Sequence, residues 1–184
     1  MVESINSLKK LAEKLTTCNF HDKETVEGFL ENLSLDANYI SINCTWQDDK
    51  YTRNVAYRDD NFEILLLCWK AGQSSPIHDH SGSSCWMTIL QGTAKEEIFT
   101  YEINGADLKN VLPLHTHSLS APGYVYIDDQ VGIHKVTNVG KEDMITLHIY
   151  AKPIGKCFRY SHESQETSEA EFSNDFKFPL EKIA

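Results

Sequence analysis

From Tyr39 onward the chain is cut into short runs rich in aromatic and β-branched residues, and this texture limits the possible folds more than any other feature. The runs cover residues 39–42, 51–56, 62–69, 86–90, 95–101, 117–119, 124–127, 134–138 and 144–150. Between them lie Asp59-Asp60-Asn61, Gly72-Gln73-Ser74-Ser75-Pro76, Gln91-Gly92, Asn104-Gly105, Pro122-Gly123 and Val139-Gly140, residue types that tolerate tight turns. Many strands at such spacing predict a mainly β sandwich or barrel.

Ahead of this region the apolar pattern has helical period. Ile5, Leu8, Leu11, Ala12 and Leu15 share one helix face, and Val26, Phe29, Leu30 and Leu33 repeat the signal after His21-Asp22. Two short N-terminal helices are therefore expected within residues 1–36, followed by a β-barrel over 39–157 and an extension over 158–184. With 184 residues and no composition shift, the chain is expected to form a single domain with a real core. The polar stretch Ser161 to Glu171 reads as a surface excursion.

A formal net charge of −10 argues against nucleic acid as a partner, since phosphate binding needs a basic stripe. No apolar run approaches a membrane span, and residues 1–14 lack a signal-peptide core, so a cytoplasmic protein without membrane contact is expected. Cys18, Cys44, Cys68, Cys85 and Cys157 are scattered and odd in number, which suits buried thiols in a reducing compartment rather than a disulfide framework.

His78-Asp79-His80 sits between a loop and a β run, and one intervening residue in extended chain turns both imidazoles to the same side. Two ligands then converge on one metal ion. The motif is short, and a second pair, His115-Thr116-His117, reads instead as a solvated loop or strand edge because nothing nearby adds ligands.

Around the first pair the spacing is richer. Gly72, five residues, His78, one, His80, four, Cys85, six, Gly92, then His134, three, Asn138, resembles the two metal-binding motifs of the cupin superfamily. Two positions depart from them: Cys85 stands where Glu is usual, and Gln130-Val131-Gly132 replaces Pro-x-Gly. Tyr51-Thr52-Arg53-Asn54, Leu67-Cys68-Trp69, Ser75-Pro76-Ile77-His78-Asp79-His80, Ser84-Cys85-Trp86, Leu90-Gln91-Gly92, Gly132-Ile133-His134 and Leu147-His148-Ile149-Tyr150 together resemble the cysteine dioxygenase family over residues 51–157.

That resemblance implies a jelly-roll-like cupin barrel, a monomer, and iron(II) held by His78, His80 and His134. It further implies oxidation of L-cysteine by O2 to cysteine sulfinate, a step of cysteine breakdown and taurine formation. Three neutral imidazoles leave the full charge on a divalent ion, which favours an anionic thiolate substrate, and they leave room for sulfur, amine and dioxygen together. Arg53, in step with Tyr51, is expected to pair bidentately with the substrate carboxylate. In isolation it would read as a surface arginine. Tyr150 and His148 share a strand face, with Thr146 two residues earlier. The resemblance places this row beside the iron and implies a thioether between Cys85 and Tyr150. Read alone, these two are a packing thiol and a core aromatic. Trp69 and Cys157 match positions near the pocket, and Ser84 stands where many animal relatives carry histidine, which bears on the pocket mouth.

Two alternatives stay open from sequence. One is a thiol dioxygenase for 3-mercaptopropionate or cysteamine, against which Arg53 speaks. The other is a non-catalytic cupin that binds a metal or small ligand.

Overall fold

The computed structural model describes residues 4–178 except 105, 106, 165 and 173. The turn read at Asn104-Gly105 and the end of the C-terminal extension, residues 179–184, therefore lie partly or wholly outside the described residues.

Three helices come first. α1 (Leu8–Thr16) starts at Ser7, whose hydroxyl accepts from the Lys10 N–H at 3.2 Å and so satisfies one of the orphan donors of the first turn. It buries Leu8, Leu11, Ala12 and Leu15 of the stripe expected from the sequence, while Ile5 precedes the helix and is buried in a β-bridge with Leu33. α2 (Lys23–Glu31) is capped by Asp22 and buries Val26 and Leu30. α3 (Ala37–Asn43) corrects the sequence reading of residues 39–42 as a strand. The Asp36 carboxylate accepts from the N–H groups of Asn38 and Tyr39 at 2.9 and 3.2 Å, and this cap outweighs the β preference of Tyr39, Ile40 and Ile42. The helical region consequently runs past residue 36, and the strands begin at Thr52 rather than at 39.

Twelve strands follow among the described residues: β1 (Thr52–Arg58), β2 (Phe62–Trp69), β3 (Ile77–His78), β4 (Ser84–Gln91), β5 (Thr93–Asn104), β6 (Asp107–Ser120), β7 (Gly123–Ile127), β8 (Ile133–Asn138), β9 (Met144–Ala151), β10 (Lys156–Tyr160), β11 (Thr167–Glu171) and β12 (Phe176–Lys177). They form two six-stranded sheets ordered β12-β1-β2-β9-β4-β7 and β11-β10-β3-β8-β5-β6. The expected mainly β, jelly-roll-like arrangement is present, but as two sheets rather than a closed barrel. The stretch read as a surface excursion contains β11, which pairs antiparallel with β10.

β2 is buried along its whole length because both of its faces are covered. Phe62, Ile64, Leu66 and Cys68 pack with the helical residues Leu8, Leu11 and Val26 on the outside. Leu65, Leu67 and Trp69 alternate with them and face the space between the sheets, beside Met87, Ile98 and Val136. Burying each such aliphatic side chain contributes about 1.5–3 kcal/mol, so this run anchors both layers.

Register carries the functional side chains inward. Across β2, β9 and β4 one row is Glu63, Tyr150 and Cys85, and the next is Leu65, His148 and Met87. In the facing sheet His78 pairs with His134, which in turn pairs with Ile98. Gly92 and Gly132 are required by close approach: both have positive φ, and a Cβ there would lie 2.9 Å from Met144 Cβ and 2.6 Å from the Phe99 carbonyl oxygen, respectively.

A candidate metal centre between the sheets

His78, His80 and His134 converge. One ligand atom from each lies within 4.8 Å of the others, all three residues are buried, and among the described residues no other group of this kind is found. Their ring centroids are 4.7–5.4 Å apart.

Local contacts explain the convergence. Between the two histidines Asp79 points the other way. Its carboxylate accepts from the Phe158 N–H at 2.9 Å and the Tyr160 hydroxyl at 3.0 Å, pinning the motif to β10. The Asp129 carboxylate then accepts from the N–H groups of His80 and Gly82 at 2.7 and 2.6 Å, holding the turn in which Ser81 and Gly82 have positive φ. His134 comes from β8 and sits opposite His78.

The hydrogen bonds leave one nitrogen of His78 and of His134, and both of His80, for a metal. His78 Nδ1 is 3.0 Å from the Pro76 carbonyl, so it carries the proton and frees Nε2. His134 Nδ1 is 2.6 Å from Glu96 Oε1, so Nε2 is again the free atom. Both ring nitrogens of His80 are buried with no partner among the described residues. Such atoms are costly to bury unpaired, and a bound divalent ion would satisfy one on each ring. Burial, then His134, lowers the His78 pKa to about 3, and the same two causes hold His80 well below the ordinary histidine range. His78 and His80 thus fit the neutral-imidazole ligation of a borderline divalent ion, and His134 offers its free Nε2 beside them.

Glu96 is the residue the sequence reading missed. It is 1% exposed, and its carboxylate stands directly behind His134. The negative charge lost from the usual ligand position at Cys85 is supplied one residue farther out, against a ligand ring. The signal was present in alternation: Glu96 lies between Ala94 and Ile98, both buried on the inward face of β5.

Beside the triad runs a connected polar row. The Trp69 indole donates to Thr146 Oγ1 at 3.0 Å, Thr146 Oγ1 is 2.9 Å from His148 Nε2, and His148 Nδ1 faces Tyr150 Oη at 3.4 Å and Cys85 Sγ at 3.8 Å. With the indole donating to Thr146, the Thr146 hydroxyl is free to donate to His148 Nε2, an arrangement that suits the Nδ1–H tautomer. Burial raises the Cys85 thiol and the Tyr150 phenol far above their ordinary values, and it holds His148 well below the histidine range. Cys85 is therefore a neutral thiol and adds no negative charge to the site.

Arg53 is 5% exposed, and its Nε and Nη2 have no hydrogen-bond partner among the described residues. A guanidinium buried in this way has donors that suit a carboxylate. It lines a cavity of about 740 Å³ together with Tyr51, Pro76, Arg159 and Phe172. Tyr51 stacks on Trp69 with ring centroids 4.2 Å apart. Ser84 faces outward on β4 and meets Tyr126 Oη at 3.1 Å, so it does not line this mouth. Cys157 is buried near the mouth, and burial raises its thiol to about 11. His115 and His117 lie exposed on β6, as the sequence predicted.

A family model described as cysteine dioxygenase type I matches residues 2–163. Cysteine dioxygenase type 1 of Homo sapiens is 27% identical over 159 residues, covering 85% of this chain and 78% of that protein. Its Danio rerio counterpart is 28% identical over 157 residues, covering 84% and 78%. Among solved structures, a Klebsiella pneumoniae protein with a double-stranded beta-helix domain superposes with a TM-score of 0.50 at 15% identity, over 72% of this chain and 87% of that one, a likeness of fold alone.

Proposed function

Because the chain belongs to the cysteine dioxygenase type I family, we propose that it oxidises L-cysteine with O2 to cysteine sulfinate, using iron(II) held by His78, His80 and His134. The observation that carries the reading is a converging three-histidine donor set together with the buried Arg53, whose Nε and Nη2 have no partner among the described residues. One site fits a metal and the other a carboxylate, and cysteine offers its thiol and carboxylate to the two at once.

Bound at the three imidazoles, iron(II) supplies the acidity that turns a thiol into a thiolate and the redox chemistry that adds both atoms of O2 to sulfur. The remaining work falls to the chain. Arg53 takes the carboxylate with Nε and Nη2 as a parallel fork, orienting the substrate toward the histidines. Tyr51, held flat against Trp69, closes one side of the pocket. His148 Nδ1 lies 3.4 Å from Tyr150 Oη, and in its Nδ1–H tautomer it donates toward negative charge developing near that oxygen. Cys85, protonated and opposite Tyr150, is available to form a thioether with its ring. Glu96 orients His134 and keeps its proton on Nδ1. The apolar walls around Leu67, Met87, Ile98 and Val136 exclude water.

Thiol plus O2 balances to sulfinic acid without an external reductant. We infer that residues 1–184 act as one unit, as a cytoplasmic monomer feeding cysteine breakdown and taurine formation. Steady-state assays of iron-loaded protein with L-cysteine, 3-mercaptopropionate and cysteamine test the substrate. The expected order puts L-cysteine first in kcat/KM, and a higher value for either other thiol would overturn the assignment.

A further inference from the structure

Past residue 163, where the family match ends, the chain returns to the substrate side and straps the edge of β1. β12 pairs parallel with β1, Asn54 opposite Phe176. Asp175 grips Arg53 from both directions: its N–H donates to the Arg53 carbonyl at 2.9 Å and its carboxylate accepts from the Arg53 N–H at 3.0 Å. The same carboxylate holds Lys50 Nζ at 3.2 Å. Farther on, the Phe178 N–H donates to the Val55 carbonyl at 2.7 Å, and its ring is fully buried. At the start of the strap the Phe172 N–H donates to the Gly155 carbonyl at 2.9 Å, which sets the ring over Arg53, its centroid 4.1 Å from Cζ. On another side the Tyr150 ring lies 5.9 Å from the same atom.

This arrangement solves a problem specific to a carboxylate-binding arginine. A buried guanidinium needs stabilising, yet a carboxylate or carbonyl partner would occupy the donors that the substrate requires. An aromatic face attracts the cation and fixes the guanidinium plane without taking up an N–H. Arg53 retains Nε and Nη2 unpartnered while Phe172 covers it.

We propose that Phe172 is a positioning residue for substrate selection: its ring, held by the 172–178 strap, orients the Arg53 guanidinium so that thiols bearing a carboxylate are preferred. The proposal rests on Arg53 as the carboxylate partner and adds that the C-terminal strap builds that specificity.

The test compares wild type, Phe172→Leu, Phe172→Tyr and Arg53→Ala, each iron-loaded, with L-cysteine and with cysteamine, which has no carboxylate. Removing the aromatic face is expected to raise KM for L-cysteine roughly two- to thirty-fold, the range of a partly desolvated cation–π contact. The ratio of kcat/KM for L-cysteine to that for cysteamine falls by the same factor, and Phe172→Tyr restores it. Should Phe172→Leu fail to fold, Phe172→Met carries the same comparison. Wild-type discrimination in the Leu or Met variant, with Arg53→Ala losing it, overturns the role of Phe172 and leaves that of Arg53 standing. Equal losses with both thiols also overturn it, reducing the strap to a structural element. If Arg53→Ala keeps its preference for L-cysteine, the carboxylate reading of Arg53 fails, and this proposal fails with it.

Discussion

Cys85 and Tyr150 stand directly opposite each other across the β4–β9 ladder, and one imidazole nitrogen, His148 Nδ1, lies 3.8 Å from the thiol and 3.4 Å from the phenol oxygen. Cross-strand neighbours have Cβ atoms about 4.5–5.5 Å apart, so a bond from sulfur to the tyrosine ring needs little backbone movement. Forming it removes the thiol hydrogen and one ring hydrogen, with O2 taking the electrons. Intact mass after turnover is expected to fall by two hydrogens. Cys85→Ser removes the shift, and an unshifted wild-type mass after extended turnover rules the thioether out.

Metal retention depends on the buried pair behind the triad. His134→Ala leaves only His78 and His80 and is expected to abolish iron retention. Glu96→Gln keeps an acceptor near Nδ1 but removes the carboxylate charge, and a reduction in metal affinity of roughly 10- to 100-fold is expected. Competition titration against a chelator measures both. Unchanged affinity in Glu96→Gln would mean that the 2.6 Å contact has no influence on the ligand it touches.

Losing the Arg53 side chain removes a charged hydrogen bond worth about 1.5–3 kcal/mol, so Arg53→Ala is expected to lower the preference for L-cysteine over cysteamine by roughly one to two orders of magnitude. The ratio of kcat/KM values reads this directly. A variant that retained the ratio would place the carboxylate elsewhere.

The fold was legible where local pattern and tertiary demand agree. Residues 62–69 read as a strand and are β2, and His78, His80 and His134 converge as the motif spacing requires. Elsewhere the apolar pattern misled, in one case through a local cap and in the others through contacts distant in sequence. Tyr39, Ile40 and Ile42 carry β preference, but the neighbouring Asp36 cap makes them helical. Glu96 sits in Lys95-Glu96-Glu97, which looks like a solvated charge run unless its alternation with Ala94 and Ile98 is weighed, and register with β8 sets it behind His134. Phe172 follows the polar stretch Ser161 to Glu171, and its place depends on return to Arg53 over more than a hundred residues of chain. β6 extends well beyond the expected residues 117–119 because it pairs along the length of β5, and with Val111 buried but Leu112 and Leu114 exposed its apolar residues do not alternate as a half-buried strand would.

Acid sensitivity should also be visible in the metal-free protein. Burial depresses His78 from its ordinary 6.5 to about 3, and His80 and His148 are lowered in the same direction. Below the unfolded value the unfolded chain binds protons that the folded chain refuses. Stability is therefore complete above pH 6.5 and declines as pH falls toward 3, by up to about 1.4 kcal/mol per pH unit for each such histidine. Chemical denaturation of apoprotein at pH 8, 6 and 5 should show the decline, and bound metal should steepen it because protons compete for the same nitrogens. A flat profile would contradict the buried, neutral state of these rings.

Oxygen uptake by iron-loaded protein on addition of L-cysteine, measured together with the sulfinate formed, tests the central claim most directly. Equal amounts of O2 consumed and cysteine sulfinate produced, with neither seen in His134→Ala, is the predicted result. Protein carrying one iron per chain that consumes no oxygen with cysteine would contradict it and leave a metal-binding module without this chemistry.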